Sequence, residues 1–181
     1  LVATACVSAP RPTLEPLGEA AAAVDGGSED ARTLALAGWH ALFDGGDAAR
    51  AAALADRALA AAPDEPWTRW LRAELAARRL DPVAELEELI ALLRGAPEHP
   101  LALVAAGRLA SFGGRSPALD ATLKTSLPAL LEDPRVQGEV RVRIRGALRV
   151  VRRGEGLAAI APLVAESGIL TAGSLVGPFS D

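Results

Sequence analysis

The sequence has little of several residue types, and each shortage excludes something. No methionine occurs, even at position 1, so we expect the natural start to lie upstream. The one cysteine, Cys6, permits no internal disulfide and does not identify an oxidising compartment. Lys124 is the only lysine, a bias that we attribute to codon usage rather than to chemistry. No apolar run approaches the roughly 18 to 20 residues of a membrane span.

Motifs that carry chemistry are also missing. The chain contains no Walker loop, no G-x-G-x-x-G and no G-x-S-x-G. Its two histidines, His40 and His99, are 59 residues apart, and with a single cysteine they do not form a structural zinc motif. The sequence therefore predicts a chain with no catalytic residues, no cofactor and no metal.

Alanine and leucine dominate what is present. Half of the residues are apolar but only 3% are aromatic, a composition typical of closely packed helices rather than of a β-sandwich. At 181 residues the chain can form one substantial core or several stacked units that share one. The net charge of −4 is mild and argues neither for nor against a nucleic-acid partner.

The stretch from Pro63 to Pro100 repeats itself. Residues 63–66 read PDEP, and residues 97–100 read PEHP, 34 positions later. The positions after each motif also correspond, as Trp67 with Leu101, Trp70 with Val104 and Leu75 with Leu109. A regular period of this length indicates a fold built from stacked units.

The pattern resembles the tetratricopeptide repeat, a helix–turn–helix unit of 34 residues that cannot bury its apolar face alone. The resemblance covers residues 29–168 and implies an all-α fold, a right-handed α-solenoid of about four units. The units span approximately 29–63, 64–97, 98–134 and 135–168. A short helix at Leu14–Val24 precedes them within the solenoid domain, 14–168, and 169–181 is a non-helical exit segment or the start of a further domain.

Turn residues and small residues place the helices within each unit. We expect Ser28 to cap the first helix, Gly46-Asp47 to form the first turn and Asp81 to cap the helix after the second turn. Ala51 and Ala58 suit a close approach of two helices. The third unit turns at 113–116 and has about three extra residues, and the fourth turns at 154–156. The second helix of unit two is predicted to bury Val83, Leu86, Leu89, Ile90 and Leu93.

Residues 137–153 carry two conflicting signals. Val140, Val142 and Ile144 alternate with arginines, which is typical of a strand. However, Val140, Ile144, Ala147, Leu148 and Val151 also share one helical face, and that pattern runs for longer. We therefore predict a helix.

Two charged segments have alternative interpretations. Glu85, Glu87 and Glu88 fit the solvated face of a helix. Residues 135–153 contain seven arginines against Glu139 alone. These arginines form either a solvated helix face or a basic patch for an acidic peptide, a phosphate or an anionic lipid head group. Nucleic acid ranks low because no aromatic side chains accompany them.

The first six residues, LVATAC, resemble the end of a bacterial lipoprotein signal peptide, with the small Ala5 before Cys6. The resemblance implies lipidation of Cys6, with residues 1–13 as a lipobox remnant and flexible tether. It implies a location in the bacterial cell envelope, facing the periplasm, and Val7 favours the outer membrane. If Cys6 is a chance cysteine in a frayed terminus, the chain is instead cytoplasmic.

The repeat resemblance implies a non-catalytic scaffold that binds a protein or peptide partner in a concave groove. The alternative is a non-catalytic N-terminal arm of a larger secreted enzyme, transglutaminase-like or hydrolase-like, whose active site lies beyond residue 181. Trp67 and Trp70 either line the groove or fill the seam between units, and His99 is expected to be solvated. The predicted groove residues are His40, Phe43, Trp67, Trp70, Glu74, Arg78, Arg108, Phe112, Arg141, Arg145 and Arg152.

Overall fold

The computed structural model describes the backbone of residues 14–166 and the side chains of residues 17–154. Within that range the fold is entirely helical, and no strand occurs. The expected all-α class is therefore confirmed, as is the helix over residues 140–151. The predicted lipidation site Cys6, the tether at 1–13 and the exit segment at 169–181 lie outside the described residues. The helices are α1 (Leu14–Asp25), α2 (Ala31–Phe43), α3 (Ala48–Ala61), α4 (Pro66–Arg78), α5 (Pro82–Gly95), α6 (Pro100–Leu109), α7 (Pro117–Glu132) and α8 (Gly138–Glu166).

Short polar side chains and prolines fix where most of these helices begin. Asp47 and Asp81 accept hydrogen bonds from backbone N–H groups of the first turns of α3 and α5. Proline occupies the first position of α4, α5, α6 and α7, where its missing N–H leaves no helical bond unmade. The expectation for α2 is wrong by two residues. Asp30, not Ser28, caps that helix, by accepting from the Thr33 N–H at 2.9 Å.

Each helix packs only on its near neighbours along the chain. Every contact between helices in the described range joins two elements that are consecutive or one element apart. The helices α2, α4, α6 and α8 touch in that order and form a row, with α3 packed between α2 and α4 and α5 between α4 and α6. This pattern is consistent with a helical repeat, because each added pair of helices buries the face of the previous one.

Small residues allow this row to form. A Cβ atom added to Gly38 on α2 would lie 2.5 Å from Cδ2 of Leu71 on α4. Ala51 and Ala58 on α3 are fully buried, as predicted. Four of the five residues predicted for the inner face of α5 are buried, but Val83 is 44% exposed. Val83 lies in the first turn of α5, and its predicted burial is wrong.

The third pair of helices is splayed. The Cα atoms of α6 and α7 stay more than 8 Å apart, and both helices pack instead on α5 and α8. The segment between them contains the predicted turn, with Gly114 at φ +77° and Ser116 capping α7. α8 thus packs against both members of the third pair.

The predicted fourth hairpin is absent. Residues 154–156 are helical, and α8 continues through them to Glu166. The other turns are each followed by a capping side chain at the next helix start, namely Asp47, Asp81 or Ser116. Gly154-Glu155-Gly156 offers no such cap, and glycine alone weakens a helix without ending it. Within the described residues, no helix is both long and apolar enough to cross a membrane.

Two glycine substitutions test this difference between the sequence pattern and the structure. Gly154→Ala should raise the free energy of unfolding by about 0.5 to 1 kcal/mol, because alanine restricts the unfolded chain and suits a helix. Gly114→Ala, the matched control in a left-handed turn, should lower it by about 1 kcal/mol or more. Neither site is crowded, since a Cβ atom added at either would meet nothing within 4 Å. Urea unfolding followed by circular dichroism measures both, and a loss of stability in Gly154→Ala would contradict a continuous α8.

Candidate functional site

The exposed side of the α2–α4–α6 row is the candidate site, because most of the predicted groove residues lie on these three helices. Residues 70, 74 and 78 of α4 follow one another at one-turn spacing and therefore share a face. Residues of α2 lie on one side of that face, and residues of α6 lie on the other.

An aromatic pair forms the α2 side of the site. Trp39 and Phe43 are one turn apart, and their rings stack with centroids 4.9 Å apart and planes 3° apart. Trp39 is buried, and its Nε1 has no hydrogen-bond partner among the described residues. Phe43 is half exposed, and the guanidinium of Arg78 lies 4.8 Å from its ring centroid. This arrangement presents an apolar ring and a cation side by side to solvent.

His40 occupies the same end of α2. Its Nε2 lies 3.1 Å from an Asp44 carboxylate oxygen, and the side chain is about one-third exposed. The histidine is thus a partly exposed member of the candidate site, one turn before the C-terminal end of the helix.

A charged cluster forms the α6 side. Arg108 donates to Glu74 on α4 at 3.2 Å and makes a short contact with Glu85 on α5. Its guanidinium also lies 5.2 Å from the ring centroid of Trp70. One arginine therefore links three successive helices and covers a buried indole ring.

The acidic residues of α5 are more buried than predicted. Glu85 is 8% exposed, and Glu88 binds both Arg69 at 2.8 Å and Arg72 at 2.6 Å. Only Glu87 is exposed as expected. The i,i+3 spacing correctly places Glu85 and Glu88 on one face, but arginines of neighbouring helices make that face an ion-pair seam rather than a solvated surface.

A cleft lies between α3 and α5, whose Cα atoms stay more than 8 Å apart. Arg72 on α4 crosses its floor and binds Asp56 on one wall and Glu88 on the other. The cleft measures about 270 Å³, and small side chains such as Ala52, Ala55 and Ala84 leave it open. Because Arg72 is already held by both walls, its charge is neutralised within the fold.

The two PxxP-like motifs of the sequence analysis have equivalent structural roles. Glu65 caps α4 and accepts from the Thr68 N–H at 2.6 Å, and burial raises the pKa of its carboxyl group. His99 stands 34 residues later and caps α6, its Nδ1 accepting from the Leu101 N–H at 3.2 Å. Its ring meets that of Trp67 edge-on at 6.2 Å. The expectation of a solvated His99 is wrong, because the turn packs against α4.

The structure does not bring all of the predicted groove residues together. Trp70 and Phe112 are core side chains, 5% and 1% exposed. Trp67 is half-buried and packs against the core, which matches the alternative in which the tryptophans fill the seam. Arg141 is half-buried and donates to the Val136 carbonyl at 3.1 Å. Arg145 and Arg152 are exposed on α8, about half a turn around that helix from Arg143, whose guanidinium lies over Gly107 of α6.

Sequence reasoning missed the residues that hold the site in place. Trp39 was assigned to a small-residue position and Glu85 to solvent, yet both support exposed groups. The available signal was the spacing of Trp39 and Phe43 on α2 and the 34-residue separation of Glu74 and Arg108, which places equivalent positions on adjacent helices. Within the described part of the chain, no group of three or more His, Cys, Asp and Glu side chains could hold a metal ion.

Comparison with family models, with curated proteins and with solved structures gave no match.

Removal of Arg108 should destabilise the fold. Arg108→Gln leaves the buried Glu85 carboxylate without its cation, and we expect a loss of about 1 to 3 kcal/mol in the free energy of unfolding. The matched control is Arg57→Gln, whose exposed pair with Glu29 should be worth less than about 1 kcal/mol. Urea unfolding of both variants, and of Arg108→Gln combined with Glu85→Gln, measures the coupling. Equal losses in the two single variants, with no rescue in the double variant, would contradict this role.

Stability should fall in mild acid because of His99. Burial, and secondarily the charge of Arg32, hold the pKa of His99 below its usual value of 6.5. The folded state therefore binds a proton less readily than the unfolded state, so the free energy of unfolding should decrease as the pH falls through 6.5. The slope from this group is at most about 1.4 kcal/mol per pH unit.

Two substitutions separate this titration from the loss of the cap. His99→Asn keeps a side-chain acceptor at the cap but does not titrate, so it should flatten the pH dependence with little change at neutral pH. His99→Gln should flatten it equally but lower the stability at neutral pH. Chemical unfolding at several pH values measures both effects, and an unchanged slope in both variants would show that His99 does not cause it.

Proposed function

We propose that the chain is a non-catalytic α-solenoid of the tetratricopeptide kind that binds a protein or peptide partner on the exposed side of α2, α4 and α6. The observation that carries the proposal is the ion pair between Glu74 and Arg108, which are 34 residues apart. Equivalent positions of two units meet in this way when units of that period stack in register. The order of helix contacts, each between near neighbours, supports the same interpretation.

The chemistry of the face suggests what the partner offers. Phe43 gives an exposed aromatic anchor point, and Arg78 beside it gives a cation without a carboxylate partner among the described residues. Aromatic and arginine side chains contribute most to binding energy at many interfaces. The proposed ligand is an extended segment with an apolar side chain next to an acidic one.

The proposed location follows from the first six residues alone. If Cys6 carries lipid, the solenoid is held at a bacterial membrane facing the periplasm, and its partner is another cell-envelope protein. This part of the proposal is independent of the helical fold.

Two exposed apolar positions provide a matched test. Partners retained by the purified chain from an envelope extract are identified by mass spectrometry, and their affinities are then measured by calorimetry. Phe43→Ala should weaken a groove partner by about tenfold or more, since losses above 1 kcal/mol mark the dominant interface residues. Val83→Ala, a similarly exposed position on α5, should leave the affinity unchanged. A partner that binds both variants equally would show that the α2–α4–α6 face is not the site.

A further inference from the structure

The outer face of α8 has an unusual charge pattern. The side chains of Ile144, Ala147 and Val151 are buried and share one side of the helix. At about 100° per residue, Arg145, Arg149, Arg152 and Arg153 fall within an arc of about 100° on the opposite side. All four are exposed, and Val142, which is 63% exposed, lies within the same arc. We call these five residues the arginine face.

The four arginines differ from most others in the fold. Arg50, Arg57, Arg69, Arg72 and Arg108 each bind a carboxylate of another helix. On α8 itself, Arg143 binds Glu139 at 2.5 Å. None of the four arginines of the arginine face forms an ion pair with any residue that the structure describes. Glu139 is the only acidic residue of α8 in its described side-chain range, and Arg143 already holds it.

This arrangement costs stability. Arg145 and Arg149, and then Arg149 and Arg153, stand at i,i+4 spacing, where like charges destabilise a helix by a few tenths of a kcal/mol per pair. Glutamate at alternate positions would remove that repulsion and add favourable pairs. The rest of the fold pairs its arginines, so the repulsion kept on α8 points to an external anion that relieves it.

The shape of the arginine face favours one class of anion. It is the ridge of a single helix, about 16 Å from residue 142 to residue 153, and its one apolar side chain is Val142. An extended peptide needs pockets for alternate side chains, and single-stranded nucleic acid needs aromatic platforms. The arginine face offers neither. A flat array of phosphates needs only guanidinium groups at its surface, each of which can bind phosphate oxygens in a bidentate way.

We propose that the arginine face of α8 binds a membrane surface rich in acidic phospholipids, with Val142 entering the head-group layer. The attraction is local, since the whole chain carries a net charge of −4. This site is separate from the α2–α4–α6 face, and it does not depend on lipid at Cys6.

Vesicle sedimentation with the unlipidated 181-residue chain tests the proposal. The chain should bind vesicles of phosphatidylcholine mixed with phosphatidylglycerol, but not vesicles of phosphatidylcholine alone. The affinity should fall as the salt concentration rises. Each arginine near an anionic surface contributes about fivefold, so Arg145→Gln combined with Arg149→Gln should weaken binding roughly 25-fold. Arg152→Gln combined with Arg153→Gln should have a similar effect.

The control removes the same charge elsewhere. Arg50→Gln combined with Arg57→Gln changes two exposed arginines of α3 and should leave vesicle binding unchanged. The α8 variants should melt at or above the temperature of the unaltered chain, because they remove like-charge repulsion.

Three results would overturn the proposal. The first is an equal affinity for both kinds of vesicle, and the second is an equal loss of binding in the α3 control. The third is tighter binding of polyglutamate or duplex DNA than of acidic vesicles with the same dependence on Arg145 and Arg149, which would assign the face to an acidic protein or to nucleic acid.

Discussion

Close packing between each helix and the next is the constraint on which this structure depends. The chain has few large aromatic side chains, so its core is made of leucines and alanines that bury useful area only when helix axes approach closely. Gly38 against Leu71 shows how close that approach is between α2 and α4. Leu34, Leu71, Leu89 and Leu123 lie in successive helices and are fully buried, and each contributes about 1.5 to 3 kcal/mol by leaving water.

Electrostatics then adds order across the same helices. Arg69, Arg72 and Arg108 lie on first helices of the pairs and reach carboxylates on α3, α4 and α5. Because Glu85 and Glu88 are largely withdrawn from water, their ion pairs fix the relative positions of the helices more strongly than exposed pairs would. The surface that remains free for partners is divided in two. One part is the aromatic and basic face around Phe43, and the other is the arginine face of α8.

Some of the fold could be predicted because the signals were local or periodic. Asp81-Pro82 begins a helix wherever it stands, and the 34-residue period gave the boundaries of α4, α5 and α6. Glu85 and His99 could not be assigned correctly, because their surroundings come from other helices. The glycines at 154 and 156 resembled the earlier turns, but they lacked the capping residue that makes a turn stop one helix and start another.

The sequence by itself determined that the chain is helical, where most helices begin, and which positions of successive units correspond. Those properties depend on residues within one or two turns of each other and on an exact period. Only the tertiary structure decided which charged side chains are neutralised and which remain free, because that outcome depends on distances between helices that the chain order does not state. It turned Trp70 and Phe112 into core residues, left Phe43 at the surface, and set four arginines of α8 apart from any described carboxylate.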